Sequence, residues 1–401
     1  MKNIISLYFI CLVSVLLGCS KHHDTTPIYL NEHTVEVRLP ILKDNGSVSS
    51  LFDSIRNPTI LQLQLDRDDV ISMIDELKVF DGKFYFKDKQ QNSLFCCDSL
   101  GKKQFAIKRR GRGSGEYLDL TDFCIVKDTI YVLDRMSPKI ICYSAVDGRF
   151  LRYQKIDTRE DYYALEVANN KLWMLQPVYK FGVYNNTYPL VAVDSTGKTL
   201  LKKLVQNKKY VNRLSNHYMG GELYSHNNKI NVRIPMHNAI YEILEDSVYM
   251  RYRFDFEDKD IDRFISDCDS DISDESFDQQ RNEQGIISLY DKIVETDSHL
   301  ITQLSYGDKL MMLVLDKTNL TYKLYQRRMN GLYLLMGADS HIYPIGNNQL
   351  ATVISPYLFS PFPKEEIINN ASENIKSIYN QLSKLNIKED DNPLLMTFTL
   401  Q

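Results

Sequence analysis

The chain has 401 residues, 43% of them hydrophobic, and its 48 lysines and arginines against 52 aspartates and glutamates give a formal net charge of −4. That apolar content suits a packed globular core, and the slight acidity excludes the basic footprint of a nucleic-acid binder. Length alone demands no second domain, because closed all-β folds run long as single units.

At the N-terminus, Lys2 precedes an apolar stretch from Ile4 to Leu17. This is too short to span a bilayer, which takes about 20 apolar residues. It reads as a signal peptide over residues 1–18, ending in Leu16-Leu17-Gly18-Cys19. Small Gly18 lets a peptidase approach, and Cys19 offers a thiol for lipid attachment. Several acyl chains on Cys19 would hold firmly where one holds only marginally, so the membrane is an expected partner. Ser20 to Thr26 are polar and look like a tether, and residues 19–58 are expected to be tether and lead-in. Ser20 beside Cys19 argues against inner-membrane retention by an aspartate, and no acidic run resembling a surface-export tag follows. The expectation is an outer-membrane lipoprotein on the periplasmic side.

From there the apolar pattern has mostly period two and is broken by Asp, Asn and Gly, which marks strands and turns. A turn and second strand recur at Asp81-Gly82-Lys83, Lys127-Asp128-Thr129, Asn169-Asn170-Lys171, Asn227-Asn228-Lys229, Gly307-Asp308-Lys309 and Asn347-Asn348-Gln349. A third strand then precedes Asp98-Ser99-Leu100-Gly101-Lys102, Asp147-Gly148-Arg149 and Asp194-Ser195-Thr196-Gly197-Lys198. Units of about 40 residues with four short strands each predict an all-β, six-bladed β-propeller over residues 59–401. Its ring must close by pairing the two ends of the chain, with Thr59 to Leu65 and Leu394 to Leu400 as the candidates.

Two segments interrupt the repeat. The acidic stretch 254–284 carries Ile261, Phe264, Ile265 and Cys268 at helical spacing and predicts a helical insertion. Residues 364–386 follow Ser360-Pro361-Phe362-Pro363 and repeat Ile367, Ala371, Ile375, Ile378 and Leu382 at threes and fours, predicting an amphipathic helix. With Cys11 in the signal and Cys19 lipidated, Cys96, Cys97, Cys124, Cys142 and Cys268 remain. That odd number implies at least one free thiol, with any pairing left open.

The lipid-attachment residues Leu16 to Cys19, the segment Gly111-Arg112-Gly113-Ser114-Gly115-Glu116-Tyr117 and the terminal Asn392-Pro393-Leu394-Leu395 together resemble the six-bladed β-propeller lipoproteins of Gram-negative bacteria. These are similar to NHL-type and TolB-like propellers. The likeness runs from about Ile60 to the C-terminus. It departs at Ser114, where the family more often has Pro, and in the acidic insertion. The resemblance implies a fold rather than a chemistry.

No local motif announces a reaction. Gly111 to Gly115, flanked by Arg109, Arg110 and Arg112, has amides and cations suited to an anion, but lacks both the P-loop and the Gly-x-Gly-x-x-Gly spacing. It reads first as a crossover between blades, and Arg109, Arg110 and Arg112 are the candidate ligand contacts. Asp267-x-Asp269-x-Asp271 starts like a calcium loop, yet Ile272 stands where the turn needs Gly. His217, His226 and His237 fit no metal spacing, and no Gly-x-Ser-x-Gly elbow exists. The 26 Tyr and 17 Phe would fill inter-blade cores or line a glycan-binding face. The expectation is a binding module for a glycan, peptide or protein, without cofactor or metal. The alternative is an NHL-like lyase or hydrolase with a metal or polar site at the central channel.

Overall fold

Asp81 and Gly82 take positive φ angles of 49° and 68°. Two-residue turns need that conformation to match the twist of the strands they join. Asn169-Asn170 (52° and 59°) and Asn227-Asn228 (50° and 61°) repeat it, so the recurring Asn and Asp pairs are hairpin turns. The computed structural model describes residues 29–39, 51–156, 161–181, 184–206, 209–211, 221–269, 271–290, 292–307, 309–326, 341–356 and 372–401. Residues 1–28, including the signal, Cys19 and the Ser20 to Thr26 tether, lie outside these, as does His217.

The strands form six antiparallel sheets arranged as a propeller. Blade 1 runs Ile74–Phe80, Lys83–Asp88, Ser93–Cys97 and Lys103–Ile107. Blade 2 runs Asp122–Val126, Thr129–Asp134, Lys139–Ser144 and Phe150–Lys155. Blade 3 runs Ala164–Ala168, Lys171–Leu175, Leu190–Val193 and Thr199–Lys203, with a small hairpin between its second and third strands. Blade 4 runs Glu222–His226, Lys229–Arg233, Ala239–Leu244 and Ser247–Asp255. In blade 5 the inner position is shared by Ile287–Leu289 and Val294–Glu295, followed by His299–Tyr306, Lys309–Asp316 and Tyr322–Gln326.

Blade 6 closes the ring. Ile342–Gly346, Gln349–Ile354 and Leu394–Leu400 come from the end of the chain, and Ile55–Gln62 from its start supplies the outer strand. Ile55 pairs with Leu400 and Gln62 with Leu394. The closing strand starts at Ile55 rather than Thr59.

Two further features differ from the sequence reading. Lys309–Asp316 is the third strand of blade 5, not the second, because the blade's first hairpin turns at 296–298. Tyr29–Arg38 is more than lead-in: it pairs in parallel with Ser247–Asp255 as a fifth, outermost strand of blade 4.

Apolar faces bury between blades. Trp173 and Tyr241 lie in the core of blades 3 and 4, while Tyr85, Tyr117 and Tyr143 fill that of blades 1 and 2. The repeated Gly of Asp-x-x-Gly-Lys has a second cause beyond turn geometry. The preceding blade's outer strand ends against it: a β-carbon on Gly101 would lie 2.6 Å from the Gln62 carbonyl oxygen, and one on Gly197 2.1 Å from that of Lys155. Only a residue without a side chain fits there.

The acidic stretch folds as helices Ile261–Asp267 and Asp274–Glu283. Asp260 and Ser273 cap them by accepting from the amides of Asp262 and Ser276. Helix Glu373–Leu382 buries Ile378, Tyr379 and Leu382 on blade 6, and residues 364–371 of the expected helix lie outside the described residues. Gln381 donates to the Pro58 carbonyl (2.8 Å) and accepts from the Ile60 amide (3.1 Å), and Asn374 donates to Ile55 O (2.9 Å). The helix thus braces the strand that closes the ring.

Antiparallel pairing puts the first-to-second and third-to-fourth turns of every blade on one face. Contacts tie that face together: Ala145 N donates to Asp128 O (2.9 Å), Lys317 N to Ser298 O (2.8 Å), and Lys171 pairs with Asp246. The opposite face carries the long connections, among them the Arg109 to Tyr117 segment, the helices of 254–284 and the helix Glu373–Leu382.

Candidate functional site

The first strand of each blade lines the axis, and at the loop-face half of that channel charged side chains converge. In blade 1 the pairing register shifts between Ile74 and Glu76, so a bulge falls at Asp75. Neighbouring Asp75 and Glu76 therefore both reach the Lys87 ammonium, at 3.2 and 3.6 Å. Lys78, two residues beyond Glu76 on the same strand face, contacts Glu76 at 3.2 Å. Its Nζ also reaches Glu166 of blade 3, at 3.3 Å, and donates to the Phe123 carbonyl of blade 2.

The other blades complete the ring. Asp122 of blade 2 accepts from the amides of Phe123 (2.7 Å) and Leu165 (2.6 Å). Ser225 of blade 4 donates to Glu166 Oε2 (3.0 Å), and Glu222 accepts from Ile293 N of blade 5. Lys292 donates to the Asp75 carbonyl (3.3 Å) and sits 5.9 Å from the ring centre of Tyr343 in blade 6. All six blades contribute. Five carboxyl groups (Asp75, Glu76, Asp122, Glu166, Glu222) and three ammonium groups (Lys78, Lys87, Lys292) line the channel.

Low dielectric and crowding set their protonation. Burial, with the Glu76 carboxylate beside it, pushes the Asp122 carboxyl up to about 7. Burial alone would also raise Glu76, but Lys78, Lys87 and Lys292 hold it well below the usual carboxylate range. Burial raises Asp75, whose Oδ1 has no hydrogen-bond partner among the described residues. Burial opposes the charge on Lys78, yet Glu166, Glu76 and Asp122 keep it protonated. The channel can therefore hold a proton on Asp122 beside an ionised Glu76.

A second network stands nearer the turn face, between blades 4 and 5. Fully buried Glu295 takes both guanidinium nitrogens of Arg251 (2.9 and 2.7 Å), Lys317 (2.7 Å) and the Tyr224 hydroxyl (3.0 Å). His226 lies 3.8 Å from the same carboxylate. Its acceptor positions are occupied from within, as in a structural pair.

The arginine-glycine segment lies on the loop face between blades 1 and 2, with Arg109, Arg110 and Arg112 exposed. Its amides are engaged by the protein itself. Gly113 N donates to Glu116 Oε2 (2.8 Å), Gly111 N to Tyr117 O (2.9 Å) and Tyr117 N to Arg109 O (3.0 Å). A β-carbon at Gly111 would fall 2.0 Å from the Glu116 carboxylate. The segment is a crossover whose cradle holds its own Glu116. The three arginines do not join the channel cluster.

The remaining candidates separate too. Asp269 accepts from the Asp271 amide (3.0 Å) in a turn between the two helices. His237 stacks on Tyr210 at 4.4 Å and lies 3.3 Å from Asp262 Oδ1, where it seats the helical excursion on blade 4. Among the described residues, no three His, Cys, Asp or Glu side chains gather as a metal site. None of the five described cysteines forms a disulfide, and all but Cys268 are buried.

Sequence reasoning missed the channel cluster, since its members are scattered over the blades and outside blade 1 each blade supplies only one or two. A usable signal exists: Asp75-Glu76, Asp122, Glu166 and Glu222 all interrupt first strands just upstream of the Asn or Asp turn.

The profile of a domain of unknown function, DUF4934, matches residues 36–399. No curated protein matches the chain. Among solved structures, a Bacteroides fragilis protein whose name marks it as exported is 15% identical. It superposes with a TM-score of 0.71 over 92% of this chain and 100% of its own. A member of the DUF4221 family from Bacteroides vulgatus is 10% identical, with a TM-score of 0.47 over 86% of this chain and 97% of that one.

Proposed function

The chain belongs to the DUF4934 family, and on that premise we propose that it is an exported binding module, held at the outer membrane by a lipid on Cys19. Its ligand, a glycan or peptide, enters the channel from the loop face. The observation that carries this reading is the convergence of Asp75, Glu76, Lys78, Lys87, Asp122, Glu166 and Lys292 from different blades on one axis. Such placement serves recognition of polar groups by fixed charges. Arg109, Arg110 and Arg112 are the outlying contacts for an anionic part of the ligand. The Bacteroides fragilis relative named as exported, together with the Leu16 to Cys19 motif, supports placement outside the cytoplasm.

The test is a glycan and peptide screen on the soluble Cys19→Ser protein. Specific retention that falls with Glu76→Gln supports the reading, and retention indifferent to channel substitutions overturns it. In cells, Cys19→Ser should release the protein from the membrane fraction.

A second reading, an NHL-like lyase or hydrolase, draws on one observation: Asp122 and Glu76 are pushed apart in acidity, as an acid and a base would be. Turnover of a retained ligand that vanishes in Asp122→Asn, with binding intact, would favour it.

A further inference from the structure

The propeller's two faces are unequal, and the chain enters at one of them. Tyr29 pairs with Tyr249 and Arg38 with Asp255, so the outermost strand of blade 4 starts on the turn face and runs toward the loop face. Cys19 lies about ten residues before Tyr29, a reach of at most roughly 35 Å. The described chain therefore begins at the turn face, under the rim of blade 4, and Cys19 is tethered to that point.

That face exposes apolar side chains at equivalent points. Leu100 of blade 1 (72% exposed), Val146 of blade 2 (63%), Leu244 of blade 4 (51%) and Leu320 of blade 5 (41%) lie in or beside the third-to-fourth-strand turn. Leu320 holds a positive φ of 58°, where Asn or Gly would be easier. Among the described residues, the exposed apolar side chains Val70, Met136 and Val205 of the loop face lie in unrelated connections.

We propose that the turn face rests on the lipid surface, with Leu100, Val146, Leu244 and Leu320 dipping among the headgroups, so that the channel mouth opens away from the membrane. The proposal rests on lipidation at Cys19. Acidic and basic residues alternate on this face, as in Asp98 with Lys102 and Asp147 with Arg149, so attachment comes from the lipid and the apolar tips rather than from net charge.

Two single-cysteine labels on blade 2 test it. Val146→Cys and Met136→Cys sit on opposite faces with similar exposure, 63% and 64%. Each is made in the lipidated full-length protein carrying Cys268→Ser, labelled with a polarity-sensitive dye and bound to phosphatidylethanolamine and phosphatidylglycerol vesicles that contain nitroxide lipids. The expected result is a blue shift and strong quenching at Val146→Cys, with neither at Met136→Cys. Vesicle flotation reports the anchor separately. Protein that floats while both labels stay unquenched, or while only Met136→Cys is quenched, overturns the orientation. Protein that fails to float overturns the lipid reading beneath it.

Discussion

Lys78 Nζ of blade 1 lies 3.3 Å from Glu166 Oε1 of blade 3, so one ion pair reaches past blade 2 across the channel. Removing one partner leaves the other buried and unmatched. Lys78→Met should therefore destabilise the protein by on the order of 3 kcal/mol, near the low end for buried pairs because Lys78 keeps some solvent contact. Adding Glu166→Gln should recover part of that loss. Denaturation midpoints of the two single variants and the double variant measure the coupling.

Gly197 tests how the blades abut. Alanine there meets the Lys155 carbonyl oxygen at 2.1 Å, whereas alanine at Gly82 meets nothing within 4 Å. Both positions have positive φ, so both substitutions carry a strain of about 1–2 kcal/mol. Gly197→Ala should lower the melting temperature clearly more than Gly82→Ala. Equal losses would mean that turn conformation alone selects glycine.

Asp122 gives stability a pH signature. Its folded carboxyl titrates at about 7 against an ordinary value of 3.8, so the folded protein holds a proton that the unfolded chain has released. Between those values stability falls as pH rises. Glu76, held low, loses its contribution only as pH drops below the usual 4.5, at the acid end of this window. The half-buried histidines His226, His237 and His299 are shifted down and act in the opposite sense below 6.5. Comparing variant with wild type isolates Asp122. Asp122→Asn should be less stable overall, having lost an acceptor for Phe123 or Leu165, but the deficit should shrink from pH 5 to pH 8 in thermal melts.

Glu116 secures the arginine-glycine crossover through Gly113 N. Glu116→Ala should leave the global melt nearly unchanged, since the segment is exposed and backbone bonds at Gly111 and Tyr117 remain. Trypsin cleavage after Arg109, Arg110 or Arg112 should accelerate. Unchanged cleavage would assign the crossover's order to the Tyr117 anchor alone.

Much of the ring was legible because hairpin chemistry is local. Asn169-Asn170 and Asn227-Asn228 carry their turn conformation in their own residue types, and Leu394 to Leu400 stood out as a closing strand. Blade 5 was misread because its inner position is divided between Ile287–Leu289 and Val294–Glu295, too short to show a period. Tyr29–Arg38 passed as lead-in because its partner Ser247–Asp255 is more than 200 positions away. The channel cluster was invisible for a related reason. Asp75, Asp122, Glu166 and Lys292 meet only once the ring is closed, and no spacing along the chain records that meeting.

The central claim is that ligand enters the charged channel from the loop face. Titrating a retained glycan or peptide into the Cys19→Ser protein, its Glu76→Gln variant and its Arg109→Ala, Arg110→Ala, Arg112→Ala triple variant by calorimetry tests it most directly. The account predicts a marked loss of affinity with Glu76→Gln and a smaller loss with the triple variant. Full affinity in Glu76→Gln, with the protein still folded, would contradict it.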